Sequence, residues 1–345
     1  MTDIKSMKFE ELQKTVEDFG FPKFRAVQLY GWLCRGVTEF EQMNNLPKDF
    51  IKILRENTYI ASAAVKRKLV SKLDGTVKYL FEFNDGECVE SVVMHYRHGH
   101  TICISTQVGC KMGCAFCATG RSGFSRNLTA SEMIAQIEAA QRDLKLRISN
   151  VVLMGMGEPL DNFDSVVRFL QLISCPDGLN IGMRHISLST CGIVDKIYEL
   201  AKYRFALTLS VSLHAPNDEI RNRTMPINKK YPIDTLLKAC RDYEEATGRR
   251  VSFEYAMIDG VNDTPHCAHE LGKKLKGSLC HVNLIPVNSV DGTEYHKSRK
   301  QTVMGFINIL EKYGITATVR RTLGSDINAS CGQLRRSEQN KGKEV

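Results

Sequence analysis

Three cysteines, Cys110, Cys114 and Cys117, stand in CKMGCAFCATG (110–120) at the spacing C-x3-C-x2-C. Structural zinc takes four ligands, commonly as two separated pairs, and no second pair follows this loop. An iron–sulfur cube takes one cysteine per iron. Three cysteines then leave one iron without a protein ligand and open to a small molecule. The spacing therefore favours a 4Fe-4S cluster with an exchangeable iron, with zinc as the competing occupant.

Other residues could serve such a centre. Gly155-Met156-Gly157-Glu158-Pro159 is a glycine-rich turn carrying a carboxylate. It lacks the lysine of a phosphate-binding P-loop and the full dinucleotide fingerprint. It can offer backbone carbonyls and a carboxylate to an ammonium group, or be an ordinary tight turn. Ser189, Ser212-Leu213-His214 and Asn288 recur near the ends of later strand-like runs. His214 taken singly reads as a structural histidine. Two cysteines stand apart from the cluster motif. Cys103 lies in the run that leads to it, and Cys331 lies in GSDINASCGQL (324–334), a small, polar, turn-rich segment that reads as a loop presenting a thiol. Cys34, Cys88, Cys175, Cys191, Cys240, Cys267 and Cys280 stand singly among apolar stretches and read as small buried hydrophobes. Glu90, in the alternating run ECVESVVM (87–94), reads as solvent-facing on pattern alone.

These residues need elements to position them. From Thr101 onward strand-like and helical patterns alternate about every 30 residues. Strands are expected at 101–106, 150–154, 184–190, 206–212, 251–258, 281–285 and 315–320. The clearest helix runs from Thr129 to Leu144, with Thr129 and Glu132 as a capping-box pair, and others cover 193–201 and 302–310. Alternation of this kind favours parallel pairing, because parallel strands need long crossovers. About six units suit an α/β fold of the partial (β/α)6-barrel type, in which loops at the C-terminal strand ends build the site. Most of the motifs above fall there. Residues 1–64 read as a helical accessory domain, with Phe9, Leu12, Val16 and Phe19 on one face and a second helix over 24–34. Residues 65–100 read as a β-rich extension with a turn at Asp74-Gly75, 101–334 as the barrel core with its C-terminal loop, and 335–345 as a disordered basic tail.

The composition is that of a globular chain. Of 345 residues, 43% are apolar and 25% charged, and no run reaches the length of a membrane span. No signal peptide is recognisable, so a cytoplasmic location with no membrane partner is expected. Twelve cysteines then suit metal or redox chemistry better than disulfides. A net charge of +8, with clusters such as Lys66-Arg67-Lys68 and Arg320-Arg321, is compatible with a nucleic-acid partner.

Taken in order, FPKFRAVQLYGWL (21–33), ECVESVVM (87–94), CISTQVGCKMGCAFCATG (103–120), GMGEPLDN (155–162), SLHAPND (212–218), MPINKKYPI (225–233), IDGVND (258–263), HVNLIPVN (281–288) and GSDINASCGQL (324–334) closely resemble the RlmN family. These are radical S-adenosylmethionine (SAM) enzymes that methylate carbon 2 of adenine in 23S rRNA and tRNA. The resemblance spans nearly the whole chain. It implies a radical-SAM barrel whose Cys110, Cys114 and Cys117 hold a 4Fe-4S cluster with SAM on the open iron. It assigns Gly157, Glu158, Ser189, Ser212, Leu213, His214 and Asn288 to SAM. It makes Cys331 the carrier of the methyl group, Glu90 the base for the C2 proton, and Cys103 the thiol that resolves the product through a transient disulfide with Cys331. Two SAM molecules per turnover, an electron donor such as flavodoxin or ferredoxin, and a monomeric enzyme follow from the same resemblance. The related Cfr enzymes methylate C8 of the same rRNA adenine. Cfr-like chains carry Ala where this chain has Pro159, which favours C2. Rival readings of other classes are a zinc-stabilised, non-catalytic RNA-binding module and a thiol redox protein using Cys103 and Cys331. The second leaves the cluster motif without a purpose.

Overall fold

Apolar alternation from residue 64 onward resolves into one ten-stranded sheet, and the helices cover it. The computed structural model describes residues 1–287 and 295–329. Asn288, Cys331 and the expected basic tail lie outside the described residues. At the N-terminus come β1 (Thr2–Asp3), α1 (Phe9–Asp18), α2 (Phe24–Cys34), α3 (Lys48–Asn57) and β2 (Thr58–Tyr59). Their apolar faces close on a core of their own around Leu12, Val16, Leu29, Phe50 and Leu54. The module docks on the rest of the chain through polar contacts. Lys5 pairs with Glu138 at 2.5 Å, and Glu11 takes both arms of Arg168.

Three antiparallel strands follow: β3 (Ala64–Val70), β4 (Val77–Glu82) and β5 (Cys88–Tyr96). The turn at Asp74-Gly75 forms as expected, with Gly75 in the left-handed region at φ +73°. β6 (Gly99–Cys103) pairs antiparallel with β5 and parallel with β9 (Ile148–Leu153), so the extension continues the barrel sheet rather than standing beside it. Between them lie β7 (Gln107–Gly109), α4 (Ala118–Arg121), β8 (Phe124–Asn127) and α5 (Ala130–Leu144). Then come α6 (Phe163–Ile173), β10 (Ile186–Thr190), α7 (Val194–Lys202), β11 (Thr208–Ser212), α8 (Asp218–Thr224), α9 (Ile233–Thr247), β12 (Val251–Met257), α10 (Pro265–Leu275), β13 (Cys280–Pro286), α11 (Lys300–Lys312) and β14 (Ala317–Val319).

From β6 to β14, omitting the β7–β8 hairpin, seven neighbouring strands run parallel in the order 6-9-10-11-12-13-14. Crossover helices bury one face of these strands, so apolar residues alternate with polar ones on the opposite face, as in ISLST of β10 and TLSVS of β11. The main core runs through Ile102, Val151, Leu188, Leu209, Val211 and Phe253. The Thr129 cap forms: its hydroxyl accepts from the Glu132 amide at 3.2 Å while the Glu132 carboxylate accepts from the Thr129 amide at 2.9 Å. No helix among the described residues is long and apolar enough to cross a membrane.

Candidate active site

The cysteine loop leaves the sheet just past β6, where parallel strand ends gather chemistry. The β7–β8 hairpin closes it, with the Cys110 amide donating to the Gly123 carbonyl at 2.9 Å. Within it the Cys117 amide donates to the Cys114 carbonyl at 3.1 Å, and the Ala115 amide donates to the Thr224 carbonyl at 2.9 Å, tying the loop to α8. Cys110, Cys114 and Cys117 line one cavity of about 300 Å³.

The Gly-Glu turn forms the adjacent wall. It follows β9 and is stitched to the chain between β6 and β7. The Gly155 amide donates to the Ile104 carbonyl at 3.0 Å, the Met156 amide to the Ser105 hydroxyl at 2.9 Å, and the Thr106 amide to the Met156 carbonyl at 2.8 Å. The approach is too close for side chains at either glycine. A Cβ on Gly155 would lie 2.5 Å from the Ile104 oxygen, and one on Gly157, whose φ is +102°, would lie 2.6 Å from the Gln107 Cβ.

Glu158, 4% exposed, faces the same cavity. Its oxygens accept from the Leu160 amide at 3.0 Å and the Cys191 amide at 2.7 Å. Burial holds its pKa above the ordinary carboxylate range against those bonds. Among the described residues no cation pairs with it.

Ser189 is the penultimate residue of β10, Ser212 ends β11, and His214 follows; all three line the cavity. His214 is buried in the left-handed region, at φ +55°. Its Nδ1 accepts from the Ala256 amide at 2.9 Å, so the ring's other nitrogen is the one left to carry a proton. Burial and the nearby Arg221 charge push its pKa down to about 3, so the ring is neutral. Phe116 meets it edge-on, centroids 4.9 Å apart. Leu213 differs from its neighbours: its side chain is fully buried in the barrel core, its amide donates to the Glu254 carbonyl at 3.1 Å, and its carbonyl accepts from Arg221 Nε at 3.1 Å.

A second cavity of about 300 Å³ shares Met154, Ile285, Pro286 and Arg320 with the first. Cys103 lines it together with Met94, Tyr96, Asn328 and Ala329. Cys103 pairs in register with Val92 across β5–β6. By the period of two, Glu90 and Met94 share that face. Glu90 is not solvent-facing, as its pattern alone suggests. It is fully buried and paired at 2.9 Å with Lys78, equally buried on β4. Lys78 Nζ also donates to the Asn328 carbonyl at 2.9 Å.

The segment 324–329 is pinned to the β3–β4 hairpin by further bonds. Asp326 accepts from the Ser71 hydroxyl at 2.7 Å and the Lys72 amide at 2.8 Å, and the Gly324 amide donates to Asp74 at 2.8 Å. The chain that leads to Cys331 thus arrives beside Cys103 and Glu90.

Sequence patterns had not singled out Lys78, Arg221 or Glu254, and Arg320 stood out only as part of a basic pair; Glu254 and Arg320 both line the cysteine cavity. Cys191 was expected only as core, yet it lines the cavity and its amide holds Glu158. Of the other solitary cysteines, Cys240 and Cys267 are buried. Cys34, Cys88, Cys175 and Cys280 are only half-buried, because they sit at or just past the ends of helices and strands.

The donor set fits an iron–sulfur cluster. Burial raises the Cys110 thiol to about 12 and the Cys114 thiol further, with their mutual charges adding to the effect. Such thiols ionise against a strongly positive partner. No three His, Cys, Asp or Glu side chains among the described residues converge on a single ion. A four-iron cube, by contrast, takes one sulfur at each of three separate corners.

The radical SAM superfamily profile matches residues 104–269, and that of the ribosomal RNA large subunit methyltransferase N-terminal domain matches residues 2–60. "Probable dual-specificity RNA methyltransferase RlmN" of Alkaliphilus metalliredigens is 52% identical over 334 residues, 97% of this chain and 95% of that protein. The protein of the same name from Clostridium novyi is 52% identical over 338 residues, 98% of each chain. A crystal structure of a radical SAM methyltransferase from Sphaerobacter thermophilus superimposes with a TM-score of 0.91 at 42% identity, over 96% of this chain and 99% of that one. The chain belongs to the RlmN family of radical SAM RNA methyltransferases.

Proposed function

We propose that this enzyme methylates carbon 2 of adenine in 23S rRNA and in tRNA, with Cys331 carrying the methyl carbon. The observation that carries the reading is the pair of joined cavities. One gathers Cys110, Cys114 and Cys117 with Glu158, Ser189, Ser212 and His214. The other gathers Cys103 with the segment 324–329 that leads to Cys331. Adenine C2 lies between two ring nitrogens and is too electron-poor to attack a sulfonium methyl. A 4Fe-4S cluster on the three thiolates, with SAM on its open iron and two SAM consumed per turnover, supplies the radical chemistry that avoids this polarity problem.

The chain's residues do the remaining work. Glu158, a buried carboxylate without a cationic partner among the described residues, suits the SAM ammonium group. The hydroxyls of Ser189 and Ser212, the neutral His214 and the backbone around Gly157 and Leu213 complete the contacts, with Asn288 assigned by the family resemblance. Glu90 accepts the C2 proton, and Lys78 holds its carboxylate on the Cys103 side of the sheet. The Cys103 thiolate then displaces carbon from the Cys331 sulfur. The carbon leaves with the electron pair of the broken C–S bond and takes a proton to become the methyl group, which frees the methylated base and leaves a Cys103–Cys331 disulfide that an external thiol reductant reopens. A one-electron donor of the flavodoxin or ferredoxin class and a monomeric state complete the proposal. Residues 1–64 and the basic surface grip the RNA by shape and phosphate contacts, and the target base leaves its stack to reach the cavity.

Reaction of the anaerobically reconstituted enzyme with SAM, reductant and unmodified rRNA or tRNA, followed by digestion and mass spectrometry, tests this. The expected product is 2-methyladenosine from both RNAs. 8-Methyladenosine would move the enzyme to Cfr-type chemistry, and protein isolated with zinc and no iron would refute the radical reading.

A further inference from the structure

Arg221 sits one layer behind the cavity wall and is 0% exposed. Its fork is spent on neutral acceptors. Nε donates to the Leu213 carbonyl at 3.1 Å, Nη1 to Asn228 Oδ1 at 3.0 Å and the Tyr231 carbonyl at 3.5 Å, and Nη2 to the Cys191 carbonyl at 2.6 Å and the Ser212 carbonyl at 3.1 Å. Among the described residues no carboxylate forms an ion pair with it. Asp218, on the same helix, reaches it only through Asn228, whose amide group donates to Asp218 while its oxygen accepts from Arg221. A fully buried cation with no carboxylate in contact is costly. A fold that retains one is arranged around negative charge arriving later. Here the neighbouring wall holds the cysteine loop: Ala115 hangs from Thr224, three residues along the same helix, and Cys191 and Ser212, both gripped by the guanidinium, line the cavity beside Cys114. The guanidinium thus lies directly behind the backbone of two residues that line the cysteine cavity.

We propose that Arg221 is the fixed counter-charge of the iron–sulfur site, raising the cluster's reduction potential, while its fork holds the strand-end loops that contact SAM. The inference rests on the proposed cluster at Cys110, Cys114 and Cys117. A cube bound by three thiolates is anionic, and the electron it accepts deepens that charge. A buried guanidinium a few ångströms behind the wall stabilises the reduced form more than the oxidised one, in a region where little water screens it. Glu158 does not touch it: the Cys191 backbone stands between them, its amide on Glu158 and its carbonyl, part of the next peptide unit, on Arg221. Arg221 is therefore a positioning residue that reaches both the metal site and the SAM loop without touching substrate.

The test uses the full-length holoenzyme reconstituted with iron and sulfide, as wild type, R221Q and R221K, with iron counted and the cluster potential read by EPR-monitored redox titration. R221Q should keep its iron and titrate at a lower potential. At a fixed poise its reduced-to-oxidised ratio should fall about tenfold, equivalent to 59 mV for a one-electron couple. R221K keeps the charge and loses the fork. It should titrate like wild type yet bind SAM several-fold more weakly by equilibrium dialysis. R221Q at the wild-type potential overturns the proposal, as does R221K falling as far as R221Q. If R221Q does not fold, R221K decides: wild-type potential with weakened SAM binding supports the assignment, and a lowered potential or unaltered SAM affinity refutes it. Wild type that takes up no iron refutes the cluster reading itself, an outcome distinct from an iron-loaded enzyme whose potential ignores residue 221.

Discussion

Replacing Lys78 with Met tests the junction between the fold and the proposed base. Lys78 and Glu90 are 0% exposed, with Nζ 2.9 Å from the carboxylate. They lie diagonally across β4 and β5, since Leu80 pairs with Glu90 and Lys78 with Val92. Met keeps the length of the stem and removes the charge, leaving a buried carboxylate without its cation. Breaking a buried pair in this way costs about 3–5 kcal/mol, whereas replacing both partners with apolar groups of similar volume is often near neutral. K78M and E90L should each lower unfolding stability by about that amount. K78M/E90L should return to within about 2 kcal/mol of wild type, a coupling energy of at least about 4 kcal/mol. Urea unfolding of all four proteins, anaerobic and reduced at pH 7, gives the cycle. The double variant should still bind iron and SAM, because neither residue lines the cysteine cavity, and it should make no methylated adenosine. Strictly additive single effects would refute the reasoning, since they would mean that water or another charge compensates each partner by itself.

Three further outcomes follow from the geometry. G157A places a Cβ 2.6 Å from the Gln107 side chain at a φ of +102°; strain of about 1–3 kcal/mol should weaken SAM binding roughly 5- to 150-fold, measured by equilibrium dialysis, while iron content stays at wild-type level. D326A removes the acceptor for the Ser71 hydroxyl and the Lys72 amide, so amides at 324–329 should exchange faster with deuterium and methyl transfer should slow several-fold with iron and SAM binding unchanged. His214 has a folded-state pKa near 3, below its unfolded value of about 6.5, so its contribution to stability is complete above pH 6.5 and is lost as pH falls, by about 1.4 kcal/mol per unit. H214Q should flatten that slope by one proton in denaturation curves taken between pH 7 and 4.5.

How far the sequence exposes this site depends on whether a residue's role is local or tertiary. The cysteine loop, the Gly-Glu turn and the Thr129 cap are local: spacing and backbone demands fix them, and each forms where the sequence puts it. The parallel strands were legible because short runs of apolar, β-branched and alternating residues recur between helical patterns, as in ISLST and TLSVS. The β7–β8 hairpin was not, being three and four residues long with no alternation to detect. Glu90 and Lys78 were misleading for a different reason. A charged residue in an alternating strand normally marks the wet face, and here that face is covered by the returning segment 324–329, about 250 residues away in sequence. Arg221 lies in DEIRNRT, which reads as a solvated helix. It is buried because carbonyls at the ends of two strands, and one from the loop before α9, turn towards it, an arrangement visible only once β10 and β11 lie side by side. Local pattern thus identified most of the groups that line the cysteine cavity. The buried charges behind them came from contacts between distant segments, where one-dimensional patterns carry no signal. A search of related barrels for such residues should therefore begin from buried cations without carboxylate partners behind the cysteine loop, and not from charge motifs in the chain.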